Sequence, residues 1–296
     1  MLLFFLASLL TLNLSTQLPQ PTLVNQVISF DKIEDKPVSL GIDLTAKSAL
    51  VIDLSSNKVL FAKNIEQPLP IASLTKLMTA DIFLGTNPDW SLQIEYKKED
   101  NTDSEQKGKS LEPSQIAFSD GEKINLKDLF TAALVKSANN VIKTIVRQTP
   151  FCCGNNFVGQ MNQKAGGLGM KQTIFIEPTG LNSGNLSSAQ DLAKLIMEVK
   201  DKKEITEALA NKIYSFKTTL SGGTKSYQVK NTNKLLNSFL TVNLGKTGYL
   251  EEAGYCFAGI TEYQKNDFIV ILLGANSEQD RAQEVKGLTV WAAENK

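Results

Sequence analysis

Four serines stand three positions ahead of a lysine: Ser29 before Lys32, Ser55 before Lys58, Ser73 before Lys76 and Ser104 before Lys107. On a helix, residues i and i+3 share a face, so this spacing can set an amine beside a hydroxyl and let it act as base to a serine nucleophile. The sequence contains no histidine. Ser-His-Asp and Cys-His hydrolysis, the His-Glu-x-x-His zinc proteases and any His-ligated zinc are therefore excluded. Proton transfer must come from Lys, Asp, Glu or Tyr. Context separates the four serines. Ser29 lies in a stretch poor in periodicity, Ser55 in a turn between two apolar segments, and Ser104 in a charged run. Only Ser73 opens an apolar helical stretch, A-S-L-T-K-L-M-T-A over residues 72–80. A helix N-terminus presents free N–H groups and a positive dipole end, which suits a nucleophile and an oxyanion. The plainer reading of Ser73 is an ordinary helix cap.

Two further short patterns follow. Ser137-Ala138-Asn139 comes directly after a helix expected over Leu126–Lys136, in an inter-helix loop, where a hydroxyl can pass a proton and an amide can hold a substrate backbone. S-x-N recurs at residues 55–57 and 183–185, and a polar loop pair is its plainer reading. Lys246-Thr247-Gly248 is the only K-T-G in the chain. Lys and Thr on a strand suit a carboxylate, and glycine lets the backbone approach it closely.

These residues need a scaffold, and 296 residues at 42% hydrophobic suffice for one large domain or two modest ones. Thirty-one basic and thirty-one acidic residues cancel, so no global charge favours nucleic acid or an anionic membrane surface. Three cysteines, two of them the neighbours Cys152 and Cys153 and the third Cys256, form no disulfide framework and read as small buried hydrophobes.

The first thirty residues carry no charge, and residues 2–12 are apolar except Ser8 and Thr11. That suits a signal-peptide core, or a short uncleaved anchor, over residues 1–17, followed by a tether over 18–44. The protein is then expected to be exported to the periplasm or cell surface, with any membrane association through this segment alone. Residues 97–109 read as a solvated loop. Ser48–Asp53 and Lys58–Lys63 flank the turn Leu54-Ser-Ser-Asn57; Gly254–Tyr263 and residues 267–274 flank Gln264-Lys-Asn266. Asn125 with Asp128, Ser188 with Asp191, and Ser277 with Asp280 signal helix starts. The expected fold is α/β in the α+β sense: an antiparallel sheet fed from both ends of the chain, flanked by helices, with a helical lobe. Within a catalytic domain over 45–296, the sheet lobe takes 45–70 and 205–296 and the helical lobe 71–204.

The patterns fall in the order S-x-x-K, S-x-N, K-T-G, the ordered signature of penicillin-interacting serine enzymes. Over residues 48–291 the sequence resembles the low-molecular-weight penicillin-binding proteins, in particular the D-alanyl-D-alanine carboxypeptidases. The resemblance is carried by P-I-A-S-L-T-K-L-M-T-A at 70–80, L-V-K-S-A-N-N at 134–140, P-T-G-L at 178–181, N-T-N at 231–233 and G-K-T-G at 245–248. It also rests on Phe157, Met161, Asn162, Ala165, Met170, Thr173 and Phe175. It implies a β-lactamase-like fold with the site between sheet and helical lobe. The implied substrate is a peptidoglycan stem peptide ending in D-Ala-D-Ala, with β-lactams as covalent inhibitors and no metal or organic cofactor. Ser73 attacks the penultimate carbonyl and Lys76 takes its proton. Lowering a lysine pKa by about 3 costs roughly 4 kcal/mol, which burial and the charge of Lys246 are expected to supply. Ser137 relays the proton to the leaving amine, Asn139 holds a substrate amide, and Lys246 and Thr247 bind the terminal carboxylate beside Gly248. The backbone N–H groups of Ser73 and Tyr249 form the oxyanion hole. Many relatives add a β-rich domain and a C-terminal amphipathic anchor; with the chain ending at Lys296, both are expected to be missing.

Three rivals share these motifs. A β-lactamase adds a glutamate for deacylation, and E-P-T-G-L-N at 177–182 approaches its E-P-x-L-N loop with one residue too many. An endopeptidase performs the same step on a cross-link. A catalytically silent wall-binding module needs none of Ser73, Lys76, Ser137, Asn139 and Lys246.

Overall fold

The computed structural model describes residues 44–101, 114–149 and 156–296. The expected N-terminal signal segment and tether up to residue 43, the pair Cys152–Cys153 and most of the charged run 97–109 lie outside the described residues.

Ser48–Asp53 (β1) is buried at every position, and its middle, A-L-V-I, accordingly reads as an unbroken apolar run inside a sheet. It pairs antiparallel with Lys58–Lys63 (β2) on one side and with Asn266–Ala275 (β11) on the other. Gly254–Tyr263 (β10) and Thr241–Leu250 (β9) complete the order β2-β1-β11-β10-β9, so strands from both ends of the chain share one antiparallel sheet. β10 and β11 are joined through Gln264 and Lys265, at φ 51° and 62°, the left-handed pair that matches strand twist in a tight hairpin.

Successive side chains of the sheet point to opposite faces. Val51, Phe257, Phe268, Val270 and Leu272 pack with Val285 and Leu288 of Glu278–Glu294 (α7). Leu50, Ile52, Ile269, Ile271 and Leu273 face the larger core with Leu192 and Ile196 of Ala189–Val199 (α5). The fold is therefore helix, sheet, helix, with the remaining helices massed behind α5: Thr75–Leu84 (α1), Leu126–Lys136 (α2), Asn139–Arg147 (α3), Asn156–Gly167 (α4) and Lys203–Ala210 (α6).

The expected helix starts are made as caps. Asn125, Ser188 and Ser277 accept from the N–H groups of Lys127, Asp191 and Asp280. The capping-box half of the Asn125 signal is spent elsewhere, since Asp128 accepts from the Tyr214 hydroxyl at 2.6 Å. A second sheet, not expected from the sequence, joins Gln93–Glu95 (β4), Lys123–Asn125 (β5), Ile213–Leu220 (β7) and Gly223–Lys230 (β8). Phe118, Phe216 and Tyr227 hold it by ring contacts with centroids 4.9–6.1 Å apart. A two-residue ribbon of Leu69–Pro70 (β3) and Leu186–Ser187 (β6) precedes the serine segment in space.

One loop expectation needs correction. Lys98–Asn101 is a short 3-10 turn whose Asp100 is buried rather than solvated, because it accepts from Thr144 at 2.8 Å and pairs with Arg147 at 2.8 Å. Among the described residues no helix is long and apolar enough to cross a membrane.

Candidate active site

Ala72–Leu74 forms a 3-10 turn that runs straight into α1, so Ser73 stands at the head of a helix. It does not cap that helix: the cap position is Leu74 and no side-chain cap bond forms. The Ser73 hydroxyl instead accepts from Lys76 Nζ at 2.8 Å, one turn along the same face. Lys76 is fully buried. Its ammonium also donates to Asn139 Oδ1 at 2.7 Å and to the Thr179 carbonyl at 2.5 Å. Burial brings the Lys76 pKa down to about 7, against an opposing pull from the Glu177 carboxylate.

The S-x-N residues arrive from the junction of two helices. Ser137 ends α2 in the left-handed conformation, φ 59°, and Asn139 begins α3. Across that sharp reversal Asn139 meets Lys76 of the serine helix and Ser137 meets β9, and both are buried. Ser137 Oγ accepts from Lys246 Nζ at 2.8 Å.

Lys246, Thr247 and Gly248 lie on β9 at the sheet edge. Lys246 is 1% exposed and also donates to the Thr247 carbonyl at 2.8 Å. Burial, then repulsion from Lys76 and from Arg281, holds its pKa well below the ordinary lysine value. Burial is the leading cause at both lysines, and the two ammoniums disfavour each other's charge. Thr247 Oγ1 lies 2.7 Å from Thr232 Oγ1. Gly248 also meets a packing demand. A Cβ there would fall 3.0 Å from the Ile71 carbonyl oxygen and 3.1 Å from Ser73 N, so its bare backbone lets the strand press against the serine's own turn. Tyr249, next along, is half exposed, its ring tilted 32° against that of Tyr255 with centroids 4.3 Å apart.

The sequence-selected residues Ser73, Lys76, Ser137, Asn139 and 246–248 therefore meet where α1, the α2–α3 junction and β9 converge, and Tyr249 follows them on β9. Two contributors were not selected as site residues from the sequence. Arg281, on α7, is 5% exposed, stacks 5.7 Å from the Tyr255 ring centroid and adds positive charge behind Lys246. Glu177 is the anion that faces Lys76. Arg281 belongs to no short pattern. Glu177 opens the E-P-T-G-L-N segment weighed above only as a β-lactamase-like loop, and nothing in that pattern pointed to its place beside Lys76.

The chemistry this arrangement permits is acyl transfer: a serine hydroxyl bonded to a buried amine that loses its proton near neutrality, with a second hydroxyl and a cationic strand edge beside it. Comparison with known proteins agrees. The D-alanyl-D-alanine carboxypeptidase family model matches residues 32–277. A D-alanyl-D-alanine endopeptidase of Haemophilus influenzae is 33% identical over 233 residues, 78% of this chain and 76% of the relative. The D-alanyl-D-alanine carboxypeptidase DacF of Bacillus subtilis is 31% identical over 251 residues, 83% of this chain and 62% of the relative. Penicillin-binding protein D2 of Listeria monocytogenes, solved in its cefotaxime-bound form, superposes with TM-score 0.69 at 27% identity, covering 85% of this chain and 98% of that one. The chain belongs to the D-alanyl-D-alanine carboxypeptidase family, and it is a serine-type hydrolase of the penicillin-binding class.

Proposed function

We propose that this carboxypeptidase removes the terminal D-Ala of peptidoglycan stem peptides through an acyl-enzyme on Ser73. Ser73 Oγ bonds to the carbonyl carbon of the penultimate D-Ala while its proton passes to neutral Lys76. Ser137, bonded to Lys246, gives its proton to the departing D-Ala amine as the peptide bond breaks and is reprotonated by the proton that Lys76 took, so Lys76 is neutral again for deacylation. Water then hydrolyses the ester and restores the serine. Lys246, Thr247 and Arg281 supply the positive and hydrogen-bonding edge for the substrate carboxylate, and Asn139 holds a substrate amide. The N–H groups of Ser73 and Tyr249 take the developing oxyanion, where one such donor is worth about 10²–10³ in rate. The observation that carries this reading is the Lys76–Ser73 bond of 2.8 Å made by a fully buried amine. β-lactams, read as mimics of the same substrate, acylate the same serine. The charge-free N-terminal segment supports export, so the active site works outside the cytoplasm.

The test is the intact mass of the purified protein after incubation with benzylpenicillin. A one-to-one adduct that persists, and that is absent in Ser73→Ala of unchanged fold, is the expected result. Labelling retained in Ser73→Ala removes Ser73 from its role; rapid loss with penicilloate accumulating indicates a β-lactamase; no adduct from folded protein indicates a silent module.

A second reading, cleavage of cross-links, is favoured by the endopeptidase relative at 33% identity. Release of D-Ala from a stem pentapeptide without cleavage of a cross-linked dimer rejects it.

A further inference from the structure

We infer that Glu177 is a positioning residue for acylation: its carboxylate folds the turn over residues 178–182 against the nucleophile, and that turn holds Lys76 in place through the Thr179 carbonyl. The inference rests on the reading of Lys76 as the base.

The carboxylate is fully engaged by its own loop. Oε2 accepts from Thr179 N at 2.7 Å and from Thr179 Oγ1 at 2.6 Å. Oε1 accepts from Gly180 N at 2.5 Å, Asn185 Nδ2 at 3.0 Å and Asn182 N at 3.4 Å. Five donors converge on one acceptor-only group, and bonds to an ionised acceptor are about twice as strong as neutral ones. A carboxylate so occupied has no free oxygen with which to activate a deacylating water, which separates its work from that of a β-lactamase glutamate.

The turn it folds is latched to the serine helix at several points. Thr179 O accepts from Lys76 Nζ and Pro178 O accepts from Thr79 Oγ1 at 2.6 Å. Asn185, itself a donor to Glu177, also donates to Thr75 Oγ1 at 3.1 Å and accepts from Ile71 N at 3.1 Å. Gly180, at φ 86°, passes so close that a Cβ would fall 2.0 Å from Ala72 O and 2.9 Å from Ser73 N. Losing the carboxylate therefore frees the carbonyl that aims the Lys76 amine.

Glu177 also brings charge. Around Lys76, the neighbour from α3 is the neutral Asn139, β9 contributes Lys246 with Arg281 of α7 behind it, and the 177–182 loop contributes Glu177. The anion favours protonated Lys76, so its removal moves the amine's titration to lower pH.

The experiment measures the acylation rate of the full chain with benzylpenicillin from about pH 5 to about pH 9, where the base titrates. Glu177→Gln is expected to acylate at least about 10-fold more slowly on the plateau, with the acidic limb moved down by about 0.5 in pH. Glu177→Asp keeps the charge on a shorter arm; it is expected to lose rate with the limb in place. A Gln variant with wild-type rate and an unmoved limb overturns the inference. So does a Gln variant slowed with its limb unmoved, which marks a purely structural glutamate. If the Gln variant does not fold, the Asp variant decides: wild-type rate in it overturns the inference, and a slowed rate with the limb in place upholds it. A wild-type profile with no limb near 7 defeats the base assignment instead, and the inference falls with it.

Discussion

A lysine amine enclosed by a serine, an asparagine and a backbone carbonyl is costly to keep charged, because the water it loses is not fully replaced. For Lys76 the titration falls from the ordinary 10.5 to about 7. The sign follows from which state binds the proton. Below pH 7 the folded and unfolded chains both carry it, and the folded state bears the whole penalty. Between about 7 and 10.5 the unfolded chain keeps the proton and the native one has released it, so native stability rises with pH by about 1.4 kcal/mol per pH unit. Denaturant unfolding of the wild type against Lys76→Met should show this slope in their difference between pH 7 and pH 9; parallel curves would mean that Lys76 is not perturbed. The same residue in its neutral form is what acylation requires, so the stability cost and the activity have one source. Lys246 is expected to divide differently. Lys246→Ala strips the strand edge of its cation and leaves Ser137 without its donor, so acylation should fall about 10²-fold, about 2.7 kcal/mol of barrier. Stability measured by unfolding should fall by less; a larger loss there makes Lys246 structural. Both lysines were legible in sequence because S-x-x-K and K-T-G fix residue types at short spacing. Arg281 was not, since its partners Lys246 and Tyr255 lie far from it along the chain and no spacing connects them.

Elements show the same division. β1 and the β10–β11 hairpin were readable to within a residue because burial on both faces leaves an apolar run bounded by turn residues, and β2, a half-buried edge strand, because the turn over 54–57 fixes where it starts. β7 and β8 were not. Their alternation is carried on one face by Tyr214, Phe216, Thr218, Tyr227 and Val229, and exposed residues fill the rest, so too few buried positions mark the strands. The contact that sets the site geometry, the 177–182 loop on the serine's turn, is invisible to periodicity because it is made by backbone. It leads to a paired prediction. Gly180→Ala places a methyl against the Ala72 carbonyl in a left-handed conformation, so the turn carrying Ser73 must shift. Acylation should drop by about 10²-fold or more, since small misplacements of reacting groups are costly. Gly159→Ala, at an exposed position of α4 with nothing within 4 Å of the new methyl, should instead stabilise the protein by about 0.5–1 kcal/mol with acylation unchanged. Equal effects at the two glycines would remove the loop contact from the argument.

At the scale of the molecule, the site is assembled from segments near residues 73, 137, 179 and 246, and the sheet that carries the last is closed by the first described strand. β1 sits between β2 and β11, so the start of the domain is as central as its end. Glu284 of α7 secures it: its carboxylate accepts from Thr45 N at 2.7 Å, Thr45 Oγ1 at 2.6 Å and Ala46 N at 3.2 Å. One turn earlier on the same helix stands Arg281, behind Lys246, so α7 couples the strand entry to the catalytic edge. A chain beginning at Thr45 keeps all three bonds, its new ammonium still facing the carboxylate, and should acylate with benzylpenicillin at the rate of the full chain. A chain beginning at Leu54 lacks β1, which strands β2 and bares the edge of β11, and should yield no cooperative unfolding transition and no adduct. Glu284→Ala in the full chain tests the coupling directly. It leaves two backbone donors without their acceptor, each worth about 1–3 kcal/mol when buried, so the melting temperature should fall by several degrees. If α7 transmits that loss, acylation falls with it because Arg281 loosens behind Lys246. Unchanged acylation in a destabilised Glu284→Ala would show that the clamp serves the fold alone.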